Sequence, residues 1–394
     1  MGIDLLVIET HPVQYRAPIY RAINRLRPNK IHVIYASDYS LRGTRDPEFS
    51  QGVQWDDSLL EGYNSTILDS TRTTVPLGWT SLFSFRLPGL ILQKRPKAIL
   101  LTSLNFIYDY TAYITALTAG IQVWIRCETQ DDAYERTFFK DLFRSLYYTL
   151  VYSGITKAFY IGELNREHWL RHGLKLEQLN PAYYCTDDRI QVLTRLVKQG
   201  RRSVLRKKLG IKPHDICISF FGKLISKKDP ELLLRAVRYL DTTFQKRVVL
   251  LYVGNGILLH KLRERYDSLD AKYNIRLICA GFLSQQEIID YYLATDITVL
   301  PSRRAGETWG LVINEALQAG SSVITTKNVG CSADFGHLER FRIINTGCAQ
   351  SLAKAVMELS DFEHDFEWAT TYLSNYTIHA VARSIVAEID LLTY

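Results

Sequence analysis

Glu307 and Glu315 are the residues of this sequence that most directly suggest chemistry. Seven residues separate them, in a stretch that passes from an apolar strand ending near Leu300 through a polar turn into a helix predicted near Gly310. The pattern places both carboxylates and free backbone N–H groups at the carboxyl edge of a parallel sheet, where α/β proteins bind ligands and a helix start favours phosphate. We expect Glu307 on the turn and Glu315 about two turns inside the helix. Two glutamates at this spacing also occur as solvated charges on surface helices, so the surrounding sequence must distinguish a ligand site from an ordinary helix surface.

A second candidate site lies in residues 220–237, FFGKLISKKDPELLLRAV. A strand leads to Gly222, where backbone can approach a ligand, and an amphipathic helix is predicted from about Pro230. Lys223 and Lys228 lie between them. Two cations in a turn before a helix predict a diphosphate site, because a departing diphosphate needs positive charge around it.

These segments, in order from Phe220 to Thr326, resemble the retaining GT-B glycosyltransferases of family 4. The glutamates match its E-x7-E signature, which here follows Pro301-Ser302. YVGNG at 252–256 and AGFLSQQEIIDYYLATDITVLPS at 280–302 match its strand-turn and base-binding segments. Lys223 is a departure, since the family commonly has Arg there, and Lys cannot make the bidentate contact of Arg.

The resemblance implies a role for each residue of a donor site. It assigns Glu307 to orientation or charge stabilisation of the reacting sugar and Glu315 to the ribose. It assigns the diphosphate to Lys223, Lys228 and the amides of Gly310 and Leu311. The remaining donor-side residues are Gly222, Gly254, Gly281, Phe282, Leu283, Thr308 and Trp309, with main-chain groups at 281–283 beside the nucleobase.

The first half carries a weaker but consistent resemblance. THPVQYRAPIYRAI, residues 10–23, resembles family members that begin with His-Pro-x-Gln-Tyr, and WIRCETQ, residues 124–130, ends a predicted strand with two charged side chains. The implied acceptor-side residues are His11, Gln14, Tyr15, Arg16, Arg126 and Glu128. A loop histidine bonded to backbone is the alternative for His11. Asn105 stands near where many relatives carry a His, so that residue's role does not transfer.

The chain of 394 residues is long enough for two domains. Short β-branched runs alternate with helical patterns in both halves, which predicts parallel sheets. The expected fold is α/β of the GT-B type, two facing Rossmann-like doubly wound domains with a cleft between them. We predict an acceptor-binding domain over residues 1–190, a nucleotide-sugar-binding domain over 191–375, and a helix over 376–394 that packs back on the first domain.

Composition and charge indicate the general class of protein and the kinds of ligand that it suits. Apolar residues make up 47% and charged residues 23%, which is typical of a globular protein, and the formal charge of +7 suits an anionic ligand or an acidic membrane surface. The six cysteines form no CxxC pair, so buried thiols are expected. We expect no metal and no cofactor beyond the sugar nucleotide, because the sequence has no Asp-x-Asp triplet. The apolar segment at the N-terminus is too short for a signal peptide, so a cytoplasmic protein is expected.

Two basic segments allow alternatives. Residues 195–210, RLVKQGRRSVLRKKLG, fit either a solvated helix and linker or contact with a phosphate-rich partner. Residues 134–157 mix cations with aromatics, which fits either a helix at the inner face of a membrane or an amphipathic core helix with a solvated basic face.

The sequence therefore predicts a retaining, metal-independent glycosyltransferase that moves a sugar from a nucleoside diphosphate sugar to a saccharide or lipid-linked acceptor. Polysaccharide, lipopolysaccharide or glycolipid synthesis is the expected setting, with peripheral membrane contact and no nucleic acid as partner. The alternatives are a sugar-nucleotide epimerase of similar fold, a non-catalytic glycosyltransferase-like partner subunit, and a nucleic-acid-binding protein. Nucleic acid ranks last because it would require cations gathered on one surface.

Overall fold

The structure is a computed structural model that describes residues 2–42, 59–72, 74–76, 78–240, 244–269 and 273–392. Residues 1, 393 and 394, at the ends of the predicted first and last segments, lie outside this range.

The first half forms a parallel sheet. Its strands are β1 (Leu5–Glu9), β2 (Ile31–Ser37), β3 (Asn64–Asp69), β4 (Ala98–Leu101), β5 (Gln122–Ile125), β6 (Lys157–Tyr160) and β7 (Leu179–Pro181), in the order β3-β2-β1-β4-β5-β6-β7. Its helices are α1 (Ala17–Leu26), α2 (Arg86–Lys94), α3 (Ile107–Thr118), α4 (Phe138–Tyr152) and α5 (Glu163–Arg171). Every residue of β1 and β2 is buried, as expected for parallel strands with helices on both faces.

The second half repeats this plan. Its strands are β8 (Ile216–Phe221), β9 (Val248–Val253), β10 (Ile275–Gly281), β11 (Ile297–Leu300), β12 (Ser322–Thr326) and β13 (Phe341–Ile344), in the order β10-β9-β8-β11-β12-β13. Its helices are α6 (Arg195–Lys208), α7 (Glu231–Ala236), α8 (Leu259–Asp267), α9 (Glu287–Ala294), α10 (Val312–Gln318), α11 (Ser332–Phe335) and α12 (Ala349–Leu359). Short 3-10 turns occupy Tyr39–Arg42, Leu176–Gln178, Ser226–Lys228, Val237–Tyr239 and Tyr372–Asn375. Two facing Rossmann-like sheets confirm the predicted fold class.

Helix α13 (Ile378–Leu391) returns to the first sheet. Val381 and Ile385 share a hydrophobic core with Leu5 and Val7 of β1. This burial explains how the end of the chain is held against its beginning. The domain limits at 190 and 375 remain predictions.

The prediction for Glu315 was wrong in its position along the helix. Residues 301–311 form a loop, and α10 begins at Val312, so Glu315 lies in the first helical turn. Gly310 has φ +96°, a left-handed conformation through which α10 cannot extend toward the N-terminus. A Cβ at this position would lie 2.8 Å from Val329. Glu307 and Glu315 are therefore separated by a loop rather than by two turns of helix.

Residues Arg195–Lys208 form α6, whose residues are mostly exposed, which agrees with the interpretation of a solvated helix, while contact with a phosphate-rich partner stays a prediction. The helix packs on α9, and part of its positive charge binds other elements of the second domain: Arg201 lies 2.5 Å from Asp290, and Arg206 lies 2.9 Å from Asp296. Arg195, Lys207 and Lys208 are exposed. Lys198 is buried and donates to a backbone carbonyl. Asp296 is itself mostly buried, and a buried carboxylate requires such partners.

Candidate active site

A cavity at the carboxyl edge of the second sheet, which we call the cleft cavity, has a volume of about 260 Å³ and walls from both domains. From the first half and the crossover it takes Gln14, Tyr15, Thr186, Asp187 and Arg189. From the second it takes Phe221, Gly222, Val253, Gly254, Phe282, Leu283, Gln285, Ile288, Tyr292, Leu311, Val312 and Glu315. Oε1 of Gln14 is buried and has no hydrogen-bond partner among the described residues, so it is available to a ligand.

Three predicted glycines lie side by side at the ends of β8, β9 and β10. The amide of Gly222 donates to Val253, and the amide of Gly254 donates to Gly281 at 2.8 Å. Gly254 has φ +131°, and a Cβ there would overlap the carbonyl of Gly222. Bare backbone therefore forms this edge of the cavity, which lets a flat or charged ligand approach closely.

Glu315 is buried against the cleft cavity. It accepts a hydrogen bond of 2.6 Å from Tyr292, whose ring stacks on Phe221 with centroids 3.8 Å apart. Burial raises the pKa of Glu315 to about 7. A carboxyl group held at this pKa is able to accept or donate a hydrogen bond to a hydroxyl-bearing ligand.

Lys228 and Glu307 form an ion pair. Their Nζ and Oε2 atoms are 3.2 Å apart, both side chains are mostly buried, and the Ser302 hydroxyl donates to the same carboxylate at 3.1 Å. Lys228 Nζ also lies beside Gly222, 3.5 Å from where a Cβ would stand. The structure thus brings together the predicted cation, the predicted acid and the glycine edge, while Lys223 directly follows Gly222 in the chain.

A second cavity of about 400 Å³, which we call the polar cavity, lies mainly in the first domain. It is lined by Arg16, Thr102, Ser103, Leu104, Asn105, Cys127, Glu128, Thr129, Gln130, Ala133, Tyr134, Arg136, Arg144, Tyr148 and Thr308. Thr308 comes from the second domain and lies 3.4 Å from Glu128. Since Thr308 lines the polar cavity and Leu311 lines the cleft cavity, the loop after Glu307 runs from one to the other.

Arg16 and Glu128, which line the polar cavity, belong to a charge network that extends into the core of the first domain. Arg16 bonds Glu9 at 2.9 Å and Glu128 at 3.0 Å. Glu9 is fully buried and also accepts from the hydroxyls of Tyr20 and Thr102. The network fixes the position of Glu128, whose carboxylate also accepts from Tyr184.

Other predicted residues lie outside the two cavities. His11 bonds Thr10 and Tyr39, and its burial, with the nearby Arg16, lowers its pKa to about 3, so it is neutral. Arg126 is buried and donates to the carbonyl of Ala182. These two side chains hold loops together rather than line a site, and the alternative of a loop histidine describes His11 in part, although its partners are hydroxyls.

Trp309 and Gly310 also do not line the cavities. Trp309 donates to Asn314, which donates in turn to the carbonyl of Tyr184 in the first half. A Cβ on Gly162 would overlap the Trp309 ring. The tryptophan therefore packs the two domains together.

Sequence reasoning missed several lining residues. Asp187, Arg189, Gln285 and Tyr292 in the cleft cavity, and Tyr134 and Arg136 in the polar cavity, were not predicted. Asp187, Arg189 and Gln285 lie a few residues after a strand or at the crossover, whereas Tyr292 lies within α9. Such positions are too common in α/β sequences to single these residues out.

Asp131, His168 and His172 form a cluster that scattered histidines in the sequence did not suggest. Their ligand atoms lie within 4.8 Å of one another, a spacing at which a metal ion could be held. Arg144 and Arg171 bind the same carboxylate. Although burial opposes ionisation, hydrogen bonds from His168 and His172 keep the pKa of Asp131 well below its usual value. Asp131 is thus the centre of a group of ion pairs, and the two arginines on its carboxylate disfavour binding of a metal cation.

The fold and the site define the class. Two Rossmann-like domains facing each other, with a cavity at the carboxyl edge of the second sheet, constitute the GT-B architecture. Residues 201–367 match the family described as glycosyl transferases group 1, so the similarity to that family is carried by the second half of the chain.

The chain also resembles known proteins in sequence and in fold. The chain is 26% identical over 198 residues to a D-inositol 3-phosphate glycosyltransferase of Corynebacterium aurimucosum, covering 46% of each chain. It thus spans less than half the length of this curated relative. The structure of the Anabaena protein HepE in complex with UDP matches with a TM-score of 0.70 at 14% identity, over 99% of this chain and 100% of that one. UDP-GlcNAc 2-epimerase from Methanocaldococcus jannaschii matches with a TM-score of 0.56 at 13% identity, over 99% and 100%. At such identities the two structures support the fold alone.

Proposed function

We propose that this protein is a retaining glycosyltransferase of family 4 that transfers a sugar from a UDP- or GDP-sugar to a hydroxyl of a saccharide or lipid-linked acceptor. The observation that carries the proposal is the Lys228–Glu307 ion pair. Glu307 begins the loop that connects a cavity walled by strand-end glycines with a polar cavity in the opposite domain. Synthesis of a polysaccharide, lipopolysaccharide or glycolipid on the cytoplasmic side of a membrane is the setting we propose.

In this proposal the nucleotide occupies the cleft cavity. The ribose binds Glu315, and the base lies by Phe282 and Leu283. The diphosphate binds next to Gly222, where Lys228 and Lys223 supply countercharge as the leaving group departs. A glycosyltransferase that uses lysines in this way needs no divalent cation, and we propose that transfer continues in the presence of a chelator.

The sugar would then lie by Glu307 and the acceptor in the polar cavity. Without donor, Glu307 neutralises Lys228 at 3.2 Å. A bound diphosphate competes for the same ammonium, which frees the carboxylate to orient the sugar or stabilise its developing positive charge. Glu128 and Thr308, which meet across the cleft, would contact the acceptor.

Donor binding and turnover test the proposal directly. A panel of UDP-, GDP- and ADP-sugars is screened by thermal shift, and the best donor is incubated with a panel of saccharide and lipid-linked acceptors with and without chelator. A donor at 100 times its Kd stabilises the protein by roughly 2.7 kcal/mol. We expect a new glycoside whose anomeric configuration equals that of the donor. Epimerised nucleotide sugar formed without acceptor would indicate the epimerase instead, and binding without turnover would indicate a non-catalytic subunit.

We further propose that α4 contacts the membrane surface. Its large apolar side chains point outward, with Phe138, Phe139, Phe143, Leu146 and Leu150 each at least 61% exposed, and Tyr152 is its buried residue. None of the described helices is long and apolar enough to cross a bilayer. The alternative of an amphipathic core helix fits this arrangement poorly, because the apolar face is the solvated one and Arg144 is the residue bound inside.

Vesicle binding tests this contact. Phe139→Ser/Phe143→Ser should lower co-flotation with anionic vesicles about tenfold or more, because two aromatic rings no longer enter the interface. Leu196→Ser/Val204→Ser, on the exposed face of α6 and similarly solvated, is the matched control. Equal binding by both variants, or concentration-dependent dimerisation of the wild type without vesicle binding, would contradict the proposal.

A further inference from the structure

A set of contacts crosses the cleft beside the Lys228–Glu307 pair. Tyr134 and Ala305 form an isolated antiparallel bridge, and the Gly306 amide donates to the Ala133 carbonyl at 2.9 Å. Arg304 reaches the carbonyl of Asp132 at 3.0 Å. Backbone of the first domain is thus hydrogen-bonded to backbone of the second directly before Glu307. We call residues 131–134 and 303–306 together the latch.

The first-domain side of the latch is held firmly. Asp131 accepts from Arg171 at 2.8 Å and from His168 at 2.8 Å, and it is also bound by Arg144. Each histidine uses its second ring nitrogen inside the same domain, His168 with Tyr152 and His172 with Ser145. This group of ion pairs fixes the loop at Asp131, so the carbonyls of the next two residues are presented toward the second domain.

The second-domain side is tied to the predicted phosphate-binding turn. The Arg303 amide donates to the Lys227 carbonyl at 2.7 Å, and its guanidinium lies 2.8 Å from Asp229. Asp229 is buried and has φ +45°, a left-handed conformation at the residue after Lys228. Residues 303–306 therefore join Lys228, Glu307 and the first domain in one set of contacts.

Gly306 makes the close approach possible. It has φ +90°, and a Cβ at this position would overlap the Tyr134 hydroxyl. Ala133 and Tyr134 also line the polar cavity. The same residues that bridge the domains thus form a wall of the proposed acceptor site.

We propose that the latch holds the domains closed and that Tyr134, Arg304 and Gly306 are positioning residues for Glu307. The role in catalysis rests on the proposed function; the closure itself does not. When the latch is formed, the loop ending at Glu307 is held from both domains and the polar cavity is complete. When it is broken, Glu307 loses its fixed position and water has access to the bound donor.

The first test is amide hydrogen exchange on the full chain without substrate. Gly306→Ala should raise exchange at residues 132–135 and 305–307 about tenfold or more. Gly306 is also in a left-handed conformation, so strain alone could loosen the loop. A double-mutant cycle separates backbone strain from the collision with Tyr134. In the Tyr134→Ala background the hydroxyl that would collide is gone, so Gly306→Ala should raise the exchange rate by a clearly smaller factor. An equal factor in both backgrounds would assign the effect to strain and overturn the latch.

Tyr372→Ala is the matched control, since Tyr372 is 50% exposed and Tyr134 52% exposed. Should Gly306→Ala fail to fold, Arg304→Ala removes the contacts to Asp132 without altering the backbone of the loop, and it should raise exchange at the same residues. Wild-type exchange there in both Tyr134→Ala and Arg304→Ala would overturn the proposal.

Steady-state kinetics give the second readout. Breaking the latch should reduce sugar transfer about tenfold while hydrolysis of the donor by water persists or rises, so the ratio of transfer to hydrolysis falls. A merely structural role would lower both rates together. If the wild type shows no transfer at all, the proposed function fails, and hydrogen exchange still decides whether the latch exists.

Discussion

Lys228→Ala and Glu307→Gln should each reduce sugar transfer at least tenfold, equivalent to ~1.4 kcal/mol in the barrier. Lys228 supplies countercharge to the diphosphate, and its removal also leaves the mostly buried Glu307 carboxylate without the cation 3.2 Å away. Glu307→Gln keeps the shape of the side chain and removes the charge that would stabilise a sugar with oxocarbenium character. Initial rates of glycoside formation with the donor found in the panel provide the measurement.

The control and the double variant make this prediction specific. Lys354 is an exposed lysine on α12 that lines neither cavity, so Lys354→Ala removes the same charge and should leave the rate unchanged. Lys228→Ala/Glu307→Gln should lose less than the product of the two single effects, because each single change leaves its partner unpaired. Full transfer by either single variant would place the reaction elsewhere.

Arg16→Met should destabilise the fold by about 3–5 kcal/mol, because it leaves a buried carboxylate without its cation. Glu9 is fully buried at the end of β1, and Arg16 is bonded to it at 2.9 Å and to Glu128 at 3.0 Å. Without Arg16, Glu9 keeps its bonds from Tyr20 and Thr102 but must bind a proton or remain charged in the core. Urea unfolding at pH 7 measures the loss.

Two further variants separate this effect from a general cost of losing an arginine. Arg27→Met breaks an exposed ion pair with Asp390 and should cost below about 1 kcal/mol. Glu9→Gln/Arg16→Met removes the fully buried charge together with its cation and should recover much of the stability, since the carboxylate that then lacks Arg16, Glu128, is 32% exposed. If Arg16→Met costs no more than Arg27→Met, the network is not a stabilising element.

The sequence predicted the central strands better than the edge strands. The strands β1, β2, β4, β8, β9 and β11 are nearly continuous apolar runs, because strands in the middle of a parallel sheet are buried on both faces. Strands β3, β7 and β13 lie at sheet edges and were not predicted, whereas the edge strand β10, with the mostly apolar sequence IRLICAG, was predicted over residues 275–280. The three strands that were not predicted are shorter or more polar, as in NSTILD and LNP, because one side of an edge strand faces solvent.

The donor side of the site was more predictable than the acceptor side. The resemblance implied donor-side roles for Gly222, Gly254, Gly281, Phe282, Leu283 and Glu315, and these residues meet at or beside one cavity. Their proximity follows from strand order alone, since neighbouring parallel strands end at the same edge. The weaker resemblance of the first half implied acceptor-side roles for His11 and Arg126, yet they bond Tyr39 and Ala182 inside the first domain. A strand end gives the location of a side chain but not the direction in which it points.

The sequence by itself determined two parallel α/β domains, a site at the edge of the second sheet, and the pair of charges at Lys228 and Glu307 as candidates. These follow from patterns within about 30 residues of chain, where periodicity and turn residues fix the local path. Only the tertiary structure decided that Arg16 completes a charge network that extends into the core, that cations of α6 bind Asp290 and Asp296, and that Tyr134 lies on Gly306. These contacts either join residues more than 80 positions apart in the chain or depend on the burial of a charge. The spacing of residues within one short segment specifies neither of the two.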